Sequence, residues 1–196
     1  MSDERTVSAY DDLAENYAKF IASDKHDPIL DNFIKQLPVE GYVLDLGCGP
    51  AKDSAAMRLA GLQVDPVDAS IEMVNLANKT YDIGARQGVF GDIEGRHIYD
   101  GIWANFSLLH ASANAFPKHL NSLHEALKPT GLFHIGMKLG TGEIRDRLSR
   151  NYTYYSEDEL LHHLTTAGFQ AVDIARGEDL GLSGDVSPWI AVLSRT

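Results

Sequence analysis

The chain has 196 residues, 44% of them hydrophobic and 23% charged, with a net charge of −11. This composition suits one folded unit with a sizeable core and excludes low-complexity and fibrous classes. The acidic balance disfavours DNA or another long phosphate backbone as partner. A single cysteine precludes an intramolecular disulfide, and the sequence shows neither a signal-peptide core nor the ~18–20 apolar residues that span a bilayer. A cytoplasmic protein without a membrane partner is expected.

In chain order, Tyr10, Leu13, Ala14, Tyr17, Phe20 and Ile21 recur at helical spacing and predict a helix with one apolar face. Asp27-Pro28 is an N-cap followed by a first-turn proline. It opens a helix that buries Leu30, Phe33, Ile34 and Leu37, and Pro38 and Gly41 end it. From Tyr42 the pattern changes to short apolar runs alternating with helices. Strands are expected at 42–46, at 62–67, around Gly88-Val89-Phe90, at 98–106, at 132–139, at 169–176 and at 189–194. Helices are expected from about Asp53 to Gly61, from a Ser70 cap to about Asn78, from Pro117 to Leu127, and from a capping box at Ser156-Glu157-Asp158-Glu159 to Gly168. The stretch from Gly140 to Asn151 is expected to be a lid or substrate loop.

This alternation predicts an α/β fold: a three-layer, Rossmann-like sandwich with a mainly parallel seven-stranded sheet and helices on both faces. Residues 1–40 would form an N-terminal helical cover and residues 41–196 the core of a single domain. In such sheets ligands bind beyond the carboxyl ends of the strands. Gly47 and Gly49 follow the first strand there, and glycines allow a tight turn and a close approach to bare backbone. Asp45 could orient that loop or accept from a cationic group. Asp68 and Asp92 follow the second and third strands, where carboxylates could accept from ribose hydroxyls and an exocyclic amine. A glycine turn followed by two acids at successive strand ends describes a slot for adenosine. A dinucleotide site fits less well, because Lys52 stands where the third glycine of that fingerprint packs and Asp53 at the helix start repels a pyrophosphate.

These motifs resemble those of the class I S-adenosylmethionine-dependent methyltransferases. Val43-Leu44-Asp45-Leu46-Gly47-Cys48-Gly49-Pro50 is similar to their first motif, Val67-Asp68-Ala69-Ser70-Ile71-Glu72-Met73 to the second and Gly91-Asp92-Ile93 to the third. Asp100 to Ala104 with Leu108-Leu109-His110 resembles the fourth-strand motif, and Leu127-Lys128-Pro129-Thr130-Gly131 the lead-in to the fifth strand. The resemblance implies S-adenosylmethionine as cofactor, S-adenosylhomocysteine as product and a small-molecule acceptor. It implies that Gly47, Cys48 and Gly49 face the methionine part of the cofactor with Asp45 near its amino group. Asp68 would hold the ribose, with Ala69 beside it, and Met73 and Ile93 would flank adenine. Asp92 would accept from the adenine amine, Asn105 would line the methionine end, and Tyr10 and Tyr17 would lie over the site.

Two departures stand out. Ala51 replaces a usual glycine, and Pro66 falls in the second strand, where a bend or strand end is expected. His110 is the candidate general base. Lys138, Arg150, Tyr152 and Tyr154 are candidates for an anionic or aromatic acceptor, with Arg145, Arg147, Tyr155 and Trp189 nearby. The histidines are too scattered for a metal site. The competing readings are a module that binds the cofactor without turnover, and methylation of RNA or protein.

Overall fold

The computed structural model describes residues 3–22 and 27–196. In these, α1 (Glu4–Ile21) and α2 (Pro28–Lys35) precede β1 (Tyr42–Leu46), α3 (Lys52–Leu59), β2 (Gln63–Asp68), α4 (Ile71–Tyr81), β3 (Arg86–Gln87), β4 (Tyr99–Asn105), α5 (Phe116–Ala126), β5 (Leu127–Lys138), β6 (Gly142–Arg145), β7 (Asn151–Tyr154), α6 (Glu157–Thr166), β8 (Gln170–Leu180) and β9 (Val186–Arg195). The seven-stranded sheet runs β3-β2-β1-β4-β5-β9-β8. Only β9 pairs antiparallel, with β5 and β8 on either side of it. The strand order reverses between β1 and β4, where open α/β sheets form a crevice.

Short-range chemistry starts the helices. The Asp27 carboxylate accepts from Ile29 N–H at 2.9 Å and Leu30 N–H at 3.2 Å, and Pro28 occupies the first turn, where its missing donor is harmless. Ser70 Oγ accepts from Met73 N–H at 3.1 Å. Ser156 and Glu159 form the expected reciprocal capping box.

Alternation along the central strands divides the core. Leu44, Leu46, Ile102, Ala104, Phe133 and Ile135 face α5 and α6, packing with Phe116, Leu120, Leu160 and Leu164. Val43, Trp103 and Leu132 face the other layer, where Leu30 and Phe33 of α2 and Met57 of α3 cover them. Gly101 lets α2 approach closely, because a Cβ there would stand 2.8 Å from both Leu37 and Phe33.

The structure corrects several expectations. Pro66 neither bends nor ends its strand; it pairs with Asp45 inside β2. It is tolerated because β3 pairs only with Val67 and Asp68, leaving β2 a single neighbour at Pro66. The third strand is Arg86–Gln87, and the expected Gly88–Phe90 segment instead leads into a 3-10 turn at Phe90–Asp92. The 140–151 segment is not an open loop: β6 and β7 pair as an antiparallel hairpin. In α1, Phe20 is 46% exposed and does not share the buried face.

Removing the Phe33 ring should leave a cavity between α2 and the sheet. Phe33→Ala is expected to cost about 3–5 kcal/mol in urea unfolding, whereas Phe20→Ala should change stability by less than about 0.5 kcal/mol.

Candidate active site

A cleft opens beyond the carboxyl ends of β1, β2 and β4, where ligands of open α/β sheets bind. Its floor is the turn after β1. Gly47 has φ +78°, and a Cβ on it would lie 2.3 Å from Ser107 Cβ, so this turn closes against Ser107 only as glycine. The N–H groups of Gly47 and Cys48 both donate to Val67 O, at 2.8 and 3.0 Å, which ties the turn to β2. Ala51, where the resembled family usually has glycine, is left-handed at φ 63° and fully buried. That conformation explains the glycine preference, since a Cβ there costs about 1–2 kcal/mol.

Asp68 joins the turn to α4. Its Oδ2 accepts from Gly49 N–H at 2.8 Å and its Oδ1 from Ser70 N–H at 2.9 Å. Burial raises its pKa. Behind the turn, the buried Asp45 accepts from Ser54 Oγ at 2.5 Å, and Asp53 accepts from Trp103 Nε1–H at 2.9 Å. Burial also raises Asp53 and pushes Asp45 up to about 8, with Asp53 and Asp68 adding like-charge repulsion at Asp45. Carboxylates gathered around one glycine turn, Asp45 buried and Asp53 and Asp68 half-buried, favour a ligand carrying positive charge.

Helix α1 is the roof. The Tyr17 ring would be 3.5 Å from a Cβ on Gly49, and the Tyr10 ring meets it edge-on at 5.7 Å. Asp11 Oδ1 accepts from Ser70 Oγ at 2.6 Å and Glu72 N–H at 3.2 Å, fixing one side of the roof to α4. On the other side the β6–β7 hairpin holds α1. Arg145 donates to Asp3 at 2.6 and 3.1 Å, and Asn151 N–H donates to Thr6 Oγ1 at 2.8 Å.

Of the sequence-expected residues, Tyr10, Tyr17, Gly47, Gly49, Asp68, Ala69, Met73, Asn105 and His110 line the cleft. Cys48 and Asp45 lie behind the turn. Asp92 is not in the lining: its carboxylate turns back to accept from Val89 N–H at 2.9 Å and caps its own turn. Ile93 is buried in the α5–α6 core. Val89 and Phe90 take the place at the cleft that Asp92 and Ile93 were expected to fill.

The acceptor candidates are also displaced. Arg150 is buried behind Tyr10, bonded to Asp146 at 2.7 and 3.0 Å, and its guanidinium carbon lies 5.2 Å from the Tyr152 ring centroid. Tyr152 is buried against His110, with ring centroids 4.7 Å apart. Lys138 lies over the Tyr152 ring, and Tyr154 stacks on Tyr152. None of these four lines the cleft.

His110 does line it, but both ring nitrogens are engaged. Nδ1 lies 2.6 Å from Asn151 O and must carry the proton, so Nε2 accepts from Tyr10 O–H at 2.9 Å. Burial brings its pKa down to about 4. The histidine anchors the roof to β7 and presents no free lone pair to the cleft, contrary to the role of base expected for it.

Ser107 was missed. Its Oγ is buried and without a partner, and the residue lines the cleft beside Gly47. An unsatisfied buried hydroxyl is costly unless a ligand completes it. It fits the polar amino-acid end of an S-adenosylmethionine-like molecule, as the glycine turn and Asp68 fit its adenosine. Among the described residues no group of His, Cys, Asp and Glu side chains is arranged to hold a metal, and no helix is long and apolar enough to cross a membrane.

A family model described as a methyltransferase domain matches residues 14–174. An uncharacterized methyltransferase of Staphylococcus carnosus is 23% identical over 164 residues, covering 80% of this chain and 79% of that one. A malonyl-[acyl-carrier protein] O-methyltransferase of Pseudescherichia vulneris is 29% identical over 131 residues; the match covers 65% of this chain but only 48% of that one. Among solved structures, the Burkholderia thailandensis 1,6-didemethyltoxoflavin-N1-methyltransferase, with 1,6-didemethyltoxoflavin and S-adenosylhomocysteine bound, superposes with a TM-score of 0.77. It is 23% identical, and the match covers 97% of this chain and 87% of that one.

The raised Asp45 pKa gives a pH signature. Ionised Asp45 attracts the sulfonium charge that distinguishes S-adenosylmethionine from S-adenosylhomocysteine. Protonation at lower pH removes that attraction. Preference for the sulfonium ligand should therefore grow as pH rises from 6 to 8, by about tenfold for each unit by which it lowers the Asp45 pKa. Calorimetric titration of both ligands at the two pH values measures this.

Proposed function

The chain belongs to the methyltransferase-domain family and is an S-adenosylmethionine-dependent methyltransferase; from that premise, we propose that it methylates a small molecule held beneath α1. The observation that carries this reading is the closed geometry of the cleft. The Tyr10–Tyr17 roof is fastened on one side by Asp11 and on the other by Asp3 and Thr6, which leaves room for a compact acceptor rather than a polymer.

In this reading Asp68 accepts from the ribose hydroxyls, using lone pairs left over from its two backbone bonds. The Gly47–Gly49 backbone and Ser107 Oγ receive the amino-acid end. Ala69, Met73, Val89 and Phe90 form the adenine slot. When bound, the sulfonium supplies an activated methyl group, so the protein needs chiefly to align the acceptor and exclude water. Tyr10, Phe106 and His110 stand at the acceptor end, and Asn105 is held beside them by accepting from His134 Nε2–H at 3.2 Å. The bound heteroaromatic acceptor of the Burkholderia relative supports a small-molecule substrate. The acyl-carrier specificity of the Pseudescherichia relative belongs to a match covering less than half of that protein.

Thermal-shift assays test the reading. S-adenosylhomocysteine should raise the melting temperature and NAD should not. Asp68→Ala should weaken S-adenosylhomocysteine roughly a hundredfold or more, since it removes charge-assisted bonds worth about 1.5–3 kcal/mol each. Asp92→Ala, which uncaps a local turn, should retain most of the shift. Ligand binding without turnover on any acceptor would instead favour a binding module, and turnover on RNA or protein alone would move the acceptor to a macromolecule.

A further inference from the structure

Resting on that reading, we infer that the acceptor is an uncharged nitrogen nucleophile carried on an apolar or aromatic body. The nitrogen would be a neutral amine or ring nitrogen, as opposed to a carboxylate, phosphate, thiol or hydroxyl.

The first ground is charge. Among the described residues no lysine or arginine lines the cleft, whose charged lining consists of Asp3 and Asp68. The arginines behind it are already neutralised. Arg145 is paired with Asp3 at 2.6 Å, and Arg150 with Asp146 at 2.7 Å. An anionic acceptor would therefore find no free cation in the lining and would meet the Asp68 carboxylate, whose partners are backbone N–H groups, a like-charge juxtaposition that costs several kcal/mol.

The second ground is that no side chain offers a free base. His110 donates from Nδ1 to Asn151 and accepts at Nε2 from Tyr10. Asp3 accepts from Thr6 N–H, Thr6 O–H and both Arg145 terminal nitrogens. Asp68 takes two backbone N–H groups and is reserved for the ribose. Alcohols and phenols must lose a proton to become strong nucleophiles, and a thiol reacts as its anion. A neutral amine attacks through an existing lone pair. The lone pair forms the new N–CH₃ bond, and the C–S bond breaks with its electron pair passing to sulfur. Where the product nitrogen carries an N–H, its proton leaves to water.

The third ground is the wall itself. Val7, Tyr10, Phe90 and Phe106 present apolar and aromatic surface. Phe106 holds a left-handed φ of 54° and sets its ring perpendicular to Trp189 at 6.3 Å. A bulky residue in that region is strained, and such strain concentrates at functional sites. Here it fixes a flat surface against which a planar acceptor can pack.

The test uses bicyclic aromatic compounds that differ only in bearing an amine, a hydroxyl or a carboxylate at one position, titrated onto protein saturated with S-adenosylhomocysteine. The amine should bind at least about tenfold tighter than the carboxylate, since like-charge repulsion exceeds the energy of one decade in affinity. It should also be the member methylated when S-adenosylmethionine is supplied. The acid limb of kcat/KM should move with the pKa of the amine when a second amine is substituted. Val7→Lys, which adds a cation to the wall, should narrow the gap between amine and carboxylate. Faster turnover of the hydroxyl or carboxylate member, an acid limb that stays fixed when the amine changes, or S-adenosylhomocysteine binding with no amine bound would overturn the inference. Failure of S-adenosylhomocysteine itself to bind would instead overturn the assignment of the cleft.

Discussion

The Asp68 carboxylate is the joint on which the site depends. By accepting from Gly49 N–H after β1 and Ser70 N–H before α4, it locks together two connections that leave neighbouring parallel strands. Charge-assisted bonds of this kind are short and directional, so the turn and the helix start share one rigid geometry. Ser70, oriented by that bond, passes the constraint on to Asp11 and hence to the roof helix. Floor, Asp68 and cover are thereby one hydrogen-bonded unit instead of three independent loops.

The roof is anchored at both ends, but by different chemistry. Toward α4 the contacts are short bonds to Asp11. Toward the hairpin they form a chain in which Arg150 steadies the Tyr10 hydroxyl, Tyr10 donates to His110, and His110 donates to the Asn151 carbonyl. These polar groups are satisfied by one another and not by a ligand. This end of the cleft therefore presents rings and methyl groups although tyrosine, histidine and arginine are all close by. The chemistry it can support follows from which lone pairs are already taken, more than from which residue types are near.

Much of the fold was legible because its signals are local. The Asp27-Pro28, Ser70 and Ser156–Glu159 caps and the apolar alternation of β1, β4 and β5 each act within a few residues. The glycine turn and Asp68 were legible too, since their spacing follows from strand and helix lengths. Other features depend on orientation, which spacing does not carry. Asp92 stands at the expected place in the chain, yet its carboxylate turns back onto Val89. The Gly88–Phe90 run is apolar enough for a strand, but the ladder with β2 ends at Gln87, and after Gly88 N–H donates to Asp68 O the chain turns away. Arg150, Tyr152 and Lys138 have the composition of a ligand cluster. The Asp146-to-Arg150 spacing was a visible sign that the arginine already had a partner, and the β6–β7 pairing then turns the cluster inward. Ser107 carried no sequence signal; its importance comes from Gly47 packing against it.

A crystal structure with S-adenosylhomocysteine tests whether adenosine is bound across the tips of β1 and β2 by Asp68 and the bare turn backbone. The expected result is ribose hydroxyls on the Asp68 carboxylate, the amino-acid end beside Gly47 and Ser107 Oγ, and Tyr17 closed over the ligand. Density for the ligand elsewhere, with Asp68 still bonded only to Gly49 and Ser70 N–H, would contradict it.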